Sequence, residues 1–190
     1  FVYRKRGTFS VNIKGLIIVL ATVGVMTYGA SLNTGAAAWE CFSTNPTPCV
    51  GNTPAVLGAG SGPWVAPVDG AQWIGPTLGN LPSDSSAGWA LSGTYVYELR
   101  FAALGGSFTE FRNVKLAADN SAVVQFCDDS NGCTTVASVA GPVGFSTVTT
   151  VGDGYIPVGA TRLRVTVTND YLNGIQDGRN PTGFFMAGEL

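Results

Sequence analysis

The four cysteines are the residues whose spacing points most directly to a chemistry. They form two local pairs, Cys41 with Cys49 around FSTNPTP and Cys127 with Cys133 around DDSNG, and both enclosed stretches are typical of turns. Four cysteines allow three connectivities, and the short loops favour the local one. Zinc is disfavoured because the spacings are not Cys-x-x-Cys and the chain has no histidine. The pattern predicts two disulfides formed in an oxidising compartment.

The lack of histidine also bears on catalysis. Without an imidazole, the commonest general base and the Ser–His–Asp triad are missing from the chain. A carboxylate pair could hydrolyse a glycosidic bond, but the sequence singles out no such pair. No glycine-rich phosphate loop stands between a strand and a helix. We therefore expect no enzymatic activity and no organic cofactor.

The acidic side chains could bind one cofactor, a structural calcium ion. Calcium takes six to eight oxygen ligands, and no segment matches the EF-hand pattern, so the metal ligands stay unknown. Asp119 with Asn120 could ligate calcium or begin a turn, and we favour the turn. Asp128 and Asp129 lie inside the second cysteine loop, where we expect them to be solvated. The carboxylates considered are those of Asp119, Asp128, Asp129, Asp153, Asp170, Asp177 and Glu189.

Three residues are candidates for facing a ligand. Trp73, before Ile74-Gly75-Pro76, could stack on a sugar, although an aromatic residue that closes one end of a core is favoured. Asn180 and Thr182, in Asn180-Pro181-Thr182-Gly183, could hydrogen-bond a ligand, although the same residues make a good turn before a last apolar strand.

The elements that must position these residues are short β-strands. Only 12% of the residues are charged, and the 26 glycines and 10 prolines are typical of short strands joined by turns. Arg162–Val167 (RLRVTV) alternates, with Leu163, Val165 and Val167 on one face. Several strands at this spacing predict a mainly β fold, a β-sandwich or jelly roll. The predicted strands are Tyr95–Phe101, Ala122–Phe126, Val136–Val139, Phe145–Val151, Arg162–Val167 and Phe184–Met186.

An apolar run, Gly15–Leu32, follows the basic residues Arg4, Lys5, Arg6 and Lys14. As a helix, these residues would span about 27 Å, close to the thickness of a bilayer core, and the preceding charges would place the rest of the chain outside the cytoplasm. A secretory signal peptide cleaved after Ala36-Ala37-Ala38 also fits the pattern. Because the run is rich in Gly, Thr and Val, a strand donated to a neighbouring subunit is a third interpretation.

The N-terminus resembles a type IV pilin-like subunit, whose mature chain often starts with Phe and continues into an apolar assembly helix. Such subunits usually carry Glu at the fifth position, where this chain has Lys5. A second register, with a leader that ends at Lys5-Arg6-Gly7, places Asn12 at the fifth position. The resemblance implies assembly through apolar side chains, namely Leu16, Ile17, Ile18, Val19, Leu20, Val23, Val25 and Met26.

The composition predicts three parts, with boundaries near residues 38 and 70. Residues 1–38 carry the apolar segment, 39–70 are a Pro- and Gly-rich, strand-poor connection with a disulfide loop, and 71–190 are the β-domain. The β-domain resembles exported domains of PEP-CTERM surface proteins, which are similar to galactose-binding jelly rolls. The resemblance rests on Ala71-Gln72-Trp73-Ile74-Gly75-Pro76, YVYELRF, Ala117-Ala118-Asp119-Asn120 and Asn180-Pro181-Thr182-Gly183.

Two functions follow from this organisation. The first prediction is a structural subunit of an extracellular, pilus-like filament, a homo-oligomer whose apolar segments pass through the membrane before they form the core. The alternative is a membrane-anchored domain of the cell surface that binds glycans. Beyond Lys14, six basic residues stand against twelve acidic ones, so we expect no nucleic-acid partner.

Overall fold

The computed structural model describes residues 29–43, 49, 53–57, 64–76, 89–141, 144–170 and 179–190. The assembly residues predicted between Leu16 and Met26 lie outside these ranges, so the apolar helix and the filament contacts stay predictions. Within the described ranges, no helix is long and apolar enough to cross a membrane.

The described residues form a mainly β structure, which confirms the predicted fold class. Two short 3-10 helices, Phe101–Leu104 and Gly144–Ser146, interrupt the strands. The strands are β1 (Trp39–Ser43), β2 (Ala55–Val56), β3 (Ile74–Gly75), β4 (Trp89–Leu91), β5 (Gly93–Arg100), β6 (Glu110–Asp119), β7 (Ser121–Cys127), β8 (Cys133–Val139), β9 (Thr149–Tyr155), β10 (Arg162–Asn169), β11 (Arg179–Pro181) and β12 (Gly183–Glu189).

Two five-stranded antiparallel sheets make up the sandwich. The first sheet has the order β1-β5-β10-β7-β8, and the second has the order β2-β3-β12-β6-β9. A separate two-stranded ribbon pairs β4 with β11. The stretch predicted to be a strand-poor connection therefore supplies an edge strand, β1, which pairs with β5 over its whole length.

The main core lies between the two sheets. Tyr97 of β5 contacts Phe184 of β12 across the interface, with ring centroids 4.8 Å apart. Leu163, Val165 and Val167 of β10 are buried on the same side, as their alternation predicts. Their burial supplies the hydrophobic free energy that holds the sheets together.

A second apolar cluster covers the opposite face of the second sheet. Phe185 of β12 points away from the main core and packs edge-on against Trp73, whose ring in turn lies 4.1 Å from that of Trp64. Strand β12 is thus buried on both faces, which explains its continuous apolar run.

Residues 29–34 run in extended form beside β12. Ala30 and Leu190 exchange backbone hydrogen bonds of 3.1 and 2.8 Å, and Ser31 lies opposite Glu189. The fully buried Thr34 hydroxyl donates to the Gln72 carbonyl at 2.6 Å. The described end of the apolar run is therefore part of the sandwich edge.

Both predicted disulfides are confirmed. Cys41–Cys49 fixes β1 to the segment that follows it, with Cα atoms 5.8 Å apart. Cys127–Cys133 joins the facing ends of β7 and β8, with Cα atoms 4.1 Å apart. The second disulfide closes the loop that lies over one end of the first sheet.

Candidate functional site

The outward surface of the first sheet carries the densest group of charged side chains in the described part of the chain. Because β5 and β10 pair in antiparallel register, Glu98 lies opposite Arg164 and Arg100 lies opposite Arg162. Side chains alternate along a strand, so these four residues point away from the core. We call this surface, defined by Glu98, Arg100, Arg162 and Arg164, the arginine face.

Glu98 is the centre of the arginine face. Its side chain is only 6% exposed, and its Oε1 atom accepts from Arg162 Nε at 3.0 Å and from Arg164 Nη2 at 2.6 Å. Arg100 Nη2 lies 3.5 Å from the other carboxylate oxygen. A buried carboxylate is costly unless it is paired in this way, and here one anion is shared by three cations.

Arg162 ties the arginine face to the disulfide loop. Its Nη1 donates to the Asp128 carbonyl at 2.6 Å, and its Nη2 donates to Asn131 Oδ1 at 2.6 Å. Together with the bond to Glu98, these contacts hold the guanidinium in a single orientation. The loop between Cys127 and Cys133 is thereby fixed relative to β5 and β10.

Arg100 is the accessible member of the arginine face. Its side chain is 48% exposed and pairs with Glu40, whose side chain is 45% exposed, at 3.2 Å. It borders a shallow groove of about 480 Å³ that also contains Phe42, Val96 and Asn131. A neighbouring cavity of about 580 Å³, lined by residues 100–102, 105–107, 129 and 160–161, shares Arg100 and Asp129 with this groove.

A row of side chains that is apolar except for Thr166 runs beside the charged residues on the same surface. Phe42 of β1 lies opposite Val96 of β5, which lies opposite Thr166 of β10, which in turn lies opposite Val123 of β7. Val123 is 38% exposed. We call Phe42, Val96 and Val123 the apolar row. The surface thus combines planar hydrogen-bonding groups with an adjacent apolar strip.

The structure does not bring the predicted ligand-facing residues to this surface. Trp73 is 1% exposed and donates its indole N–H to the Val65 carbonyl at 3.0 Å, so it does not face a ligand and instead has the favoured role of an aromatic core residue. Thr182 is fully buried and donates to the Asp119 carbonyl at 2.8 Å, so it is likewise a structural residue. Asn180 lies in β11, and its side chain is outside the described part.

Asp119 occupies an unusual position at the end of β6. Its carboxyl is buried, with Oδ2 accepting from Trp64 Nε1 at 3.0 Å. Among the described residues, Oδ1 has no hydrogen-bond partner. Burial raises the pKa of the Asp119 carboxyl to about 7, the Trp64 hydrogen bond opposes this shift, and the charge of Asp170 adds to it. Asn120 is the single residue between β6 and β7, which lie in different sheets.

Within the described part of the chain, the carboxylates considered for calcium do not form a cluster. No group of three or more His, Cys, Asp or Glu side chains suited to a metal occurs there. Asp128 is engaged instead with its own loop, because its Oδ1 accepts from the Gly132 backbone N–H at 2.8 Å. A calcium ion therefore stays an untested prediction.

The sequence alone does not reveal the arginine face. The alternation of YVYELRF and RLRVTV does place Glu98, Arg162 and Arg164 on the outward side of their strands. Only the pairing of β5 with β10, which are more than sixty residues apart, brings them together. Outward charged residues in isolated strands are usually solvated, which is why the pattern gave no signal.

Neither a scan against protein-family models nor a search of curated proteins gives a match. Among solved structures, this chain is similar to chitosan-binding module 1 of a chitosanase/glucanase from Paenibacillus sp. IK-5. The two are 18% identical with a TM-score of 0.33, over 57% of this chain and 80% of the module. A similarity of this degree carries no argument about the site.

Proposed function

We propose that this chain is an extracellular carbohydrate-binding domain whose ligand lies across the arginine face. The observation that carries the proposal is the apolar row, Phe42, Val96 and Val123, beside the hydrogen-bonding groups of Arg100 and Arg164. Sugar rings have hydroxyl groups around their edges and C–H groups on their faces. A surface with a polar row next to an apolar row matches both features.

The fixed geometry of the charged groups supports the same function. Glu98 and Arg162 are buried and held by several contacts each, so a ligand would not have to order them. Binding to side chains that are already ordered loses less conformational entropy than binding to mobile ones. Arg100 is partly free, and its planar guanidinium can donate two parallel hydrogen bonds to neighbouring hydroxyl or carboxylate oxygens.

Two disulfides are consistent with an extracellular or secreted protein. Attachment to the cell surface through the part of the apolar run that precedes Gly29 belongs to this proposal, since residues 29–32 lie along β12. The filament prediction rests on residues outside the described part of the chain, whereas the arginine face gives the glycan-binding alternative a specific surface. We accordingly place carbohydrate binding first.

The proposal is tested with the full chain and a panel of insoluble polysaccharides, including cellulose, chitin, chitosan and an acidic polymer such as pectate. The fraction depleted from solution is measured for the wild type and for Phe42→Ala, Arg100→Ala and Thr150→Ala. Thr150 is exposed on β9 of the other sheet and serves as the control.

We expect at least one polysaccharide to retain the wild type and the Thr150 variant. Loss of Phe42 or Arg100 should weaken retention about tenfold, because each removes one kind of contact worth roughly 1 kcal/mol or more. Retention of all four proteins alike, or of none, would contradict the proposal.

A further inference from the structure

The loop between β7 and β8 holds an Asn–Gly pair in an unusual environment. Asn131 adopts a left-handed backbone conformation with φ of 65°, and its N–H donates to the Asp128 carbonyl at 3.2 Å. The Asp128 N–H donates to the Gly132 carbonyl at 2.9 Å. The loop is a tight, disulfide-closed turn that leaves Asn131 and Gly132 exposed to water.

Charged groups contact both halves of the Asn131–Gly132 unit. Arg162 Nη2 and Arg164 Nη2 donate to the Asn131 side-chain carbonyl oxygen at 2.6 and 3.2 Å. On the other side, the Gly132 N–H donates to Asp128 Oδ1 at 2.8 Å. One amide oxygen thus faces two cations, while the adjacent amide nitrogen faces a carboxylate.

We propose that Asn131 is a self-modifying site, which the folded protein converts to aspartate or isoaspartate. The Gly132 nitrogen attacks Cγ of Asn131, and a new C–N bond closes a five-membered succinimide ring. The Cγ–Nδ2 bond breaks, and the proton from Gly132 passes by way of Asp128 to Nδ2, which leaves as ammonia. Water then adds to either ring carbonyl and opens the ring, giving the two acidic products without any change of oxidation state.

The observed contacts favour the attack step of this reaction. Negative charge develops on Oδ1 as the nitrogen attacks, and fixed cations aimed at a developing oxyanion lower the barrier. A carboxylate within hydrogen-bond distance of the Gly132 N–H can accept its proton during the attack. The product carboxylate would lie between Arg162 and Arg164, where it adds an anion to a cluster of three cations around Glu98.

Glycine at position 132 leaves room for the Asp128 carboxylate. A Cβ atom there would lie 2.7 Å from Asp128 Oδ2, closer than a real contact permits. A larger residue would therefore push the carboxylate away from the 132 N–H as well as hinder ring closure.

The first test compares the folded and unfolded states of the wild type. The native protein and the reduced, urea-unfolded protein are incubated near neutral pH, and peptide mass spectrometry follows replacement of the amide by a carboxyl group. Asn173–Gly174, the second Asn–Gly pair in the sequence, provides an internal reference. We expect Asn131 to react about tenfold faster in the folded protein than in the unfolded one. An equal or slower rate in the folded protein would overturn the proposal.

The second test identifies the groups responsible. Asp128→Asn keeps an oxygen that can accept the Gly132 N–H but removes the proton acceptor, and Arg164→Met removes one cation. Both variants should lower the folded-state rate at Asn131 severalfold and leave the rate at Asn173 unchanged. Unchanged rates at Asn131 in both would overturn the assignment. No saccharide is involved, so failure of this proposal and failure of carbohydrate binding are separate outcomes.

Discussion

The buried carboxyl of Asp119 predicts an unusual pH dependence of folding stability. In the unfolded chain this group titrates near its ordinary value of 3.8, whereas burial raises its pKa to about 7 in the folded protein. Between these values the folded chain keeps the proton and the unfolded chain releases it. Raising the pH through this window therefore favours unfolding.

The size of the effect follows from the shift. Moving the pKa of one group from 3.8 to about 7 corresponds to about 4 kcal/mol, all of it present below pH 4 and lost by the time the pH passes 7. The Asp119→Asn variant does not titrate. Its amide can still accept from Trp64 but places an unpaired N–H₂ where Oδ1 lies, so its absolute stability is expected to be lower at acid pH.

The assay is urea unfolding of the wild type and Asp119→Asn at intervals from pH 4 to pH 8. The free-energy difference between the two proteins cancels the contribution of the other acidic groups. The free energy of unfolding of the wild type minus that of Asp119→Asn should fall by several kcal/mol in total from acid to neutral pH. The Trp64→Phe variant, which loses the hydrogen bond that lowers the pKa of Asp119, should extend this fall to higher pH. A difference that is constant within about 1 kcal/mol across the range would refute the reasoning.

Two further predictions concern packing. Trp73→Ala should lower the free energy of unfolding by about 3–5 kcal/mol, because it empties the space between Trp64 and Phe185; a loss below about 1 kcal/mol in urea would show that this cluster is not a core. Gly154→Ala should cost about 1–3 kcal/mol, since a Cβ there would overlap the Phe111 ring, whereas Gly106→Ala, with open space around it, should be nearly neutral. Equal thermal stability of the two glycine variants would contradict the close approach of Phe111.

The strands with strict alternation could be predicted from the sequence. YVYELRF and RLRVTV appear as β5 and β10, and their inward residues are those that the pattern places on one face. The ten-residue β6 gave no such signal, although it is an interior strand of the second sheet, between β12 and β9. Its pairing with β9 shifts register on either side of Val114, and Asn113 has a φ of 53°, so the irregularity breaks the period of two.

The predicted position of β9 differs from the observed one for a related reason. The apolar run Phe145–Val151 predicted a strand, but its first residues lie in the 3-10 helix Gly144–Ser146, and β9 continues instead through Gly152 and Gly154. Glycine normally weakens a strand, and here it is needed because the Phe111 ring occupies the space beside Gly154. That requirement comes from a partner strand and is invisible in the local sequence.

The candidate site could be predicted only in part. The two disulfides follow from local spacing, and one of them closes the loop on which Asn131 lies. The arginine face depends on Arg162 and Arg164 meeting Glu98 across strands that are distant in sequence. Trp73 was considered for a ligand because an aromatic residue before a turn suits both roles, and only the packing of Phe185 against it decides between them.

The most direct test of carbohydrate binding is a titration of the isotope-labelled full chain with soluble oligosaccharides, followed by backbone amide chemical shifts. We expect saturable shifts that concentrate on β1, β5 and β10 around Phe42, Glu98 and Arg164, and that disappear in Phe42→Ala. Shifts confined to the second sheet, or the absence of saturable shifts with every saccharide class tested, would contradict the account.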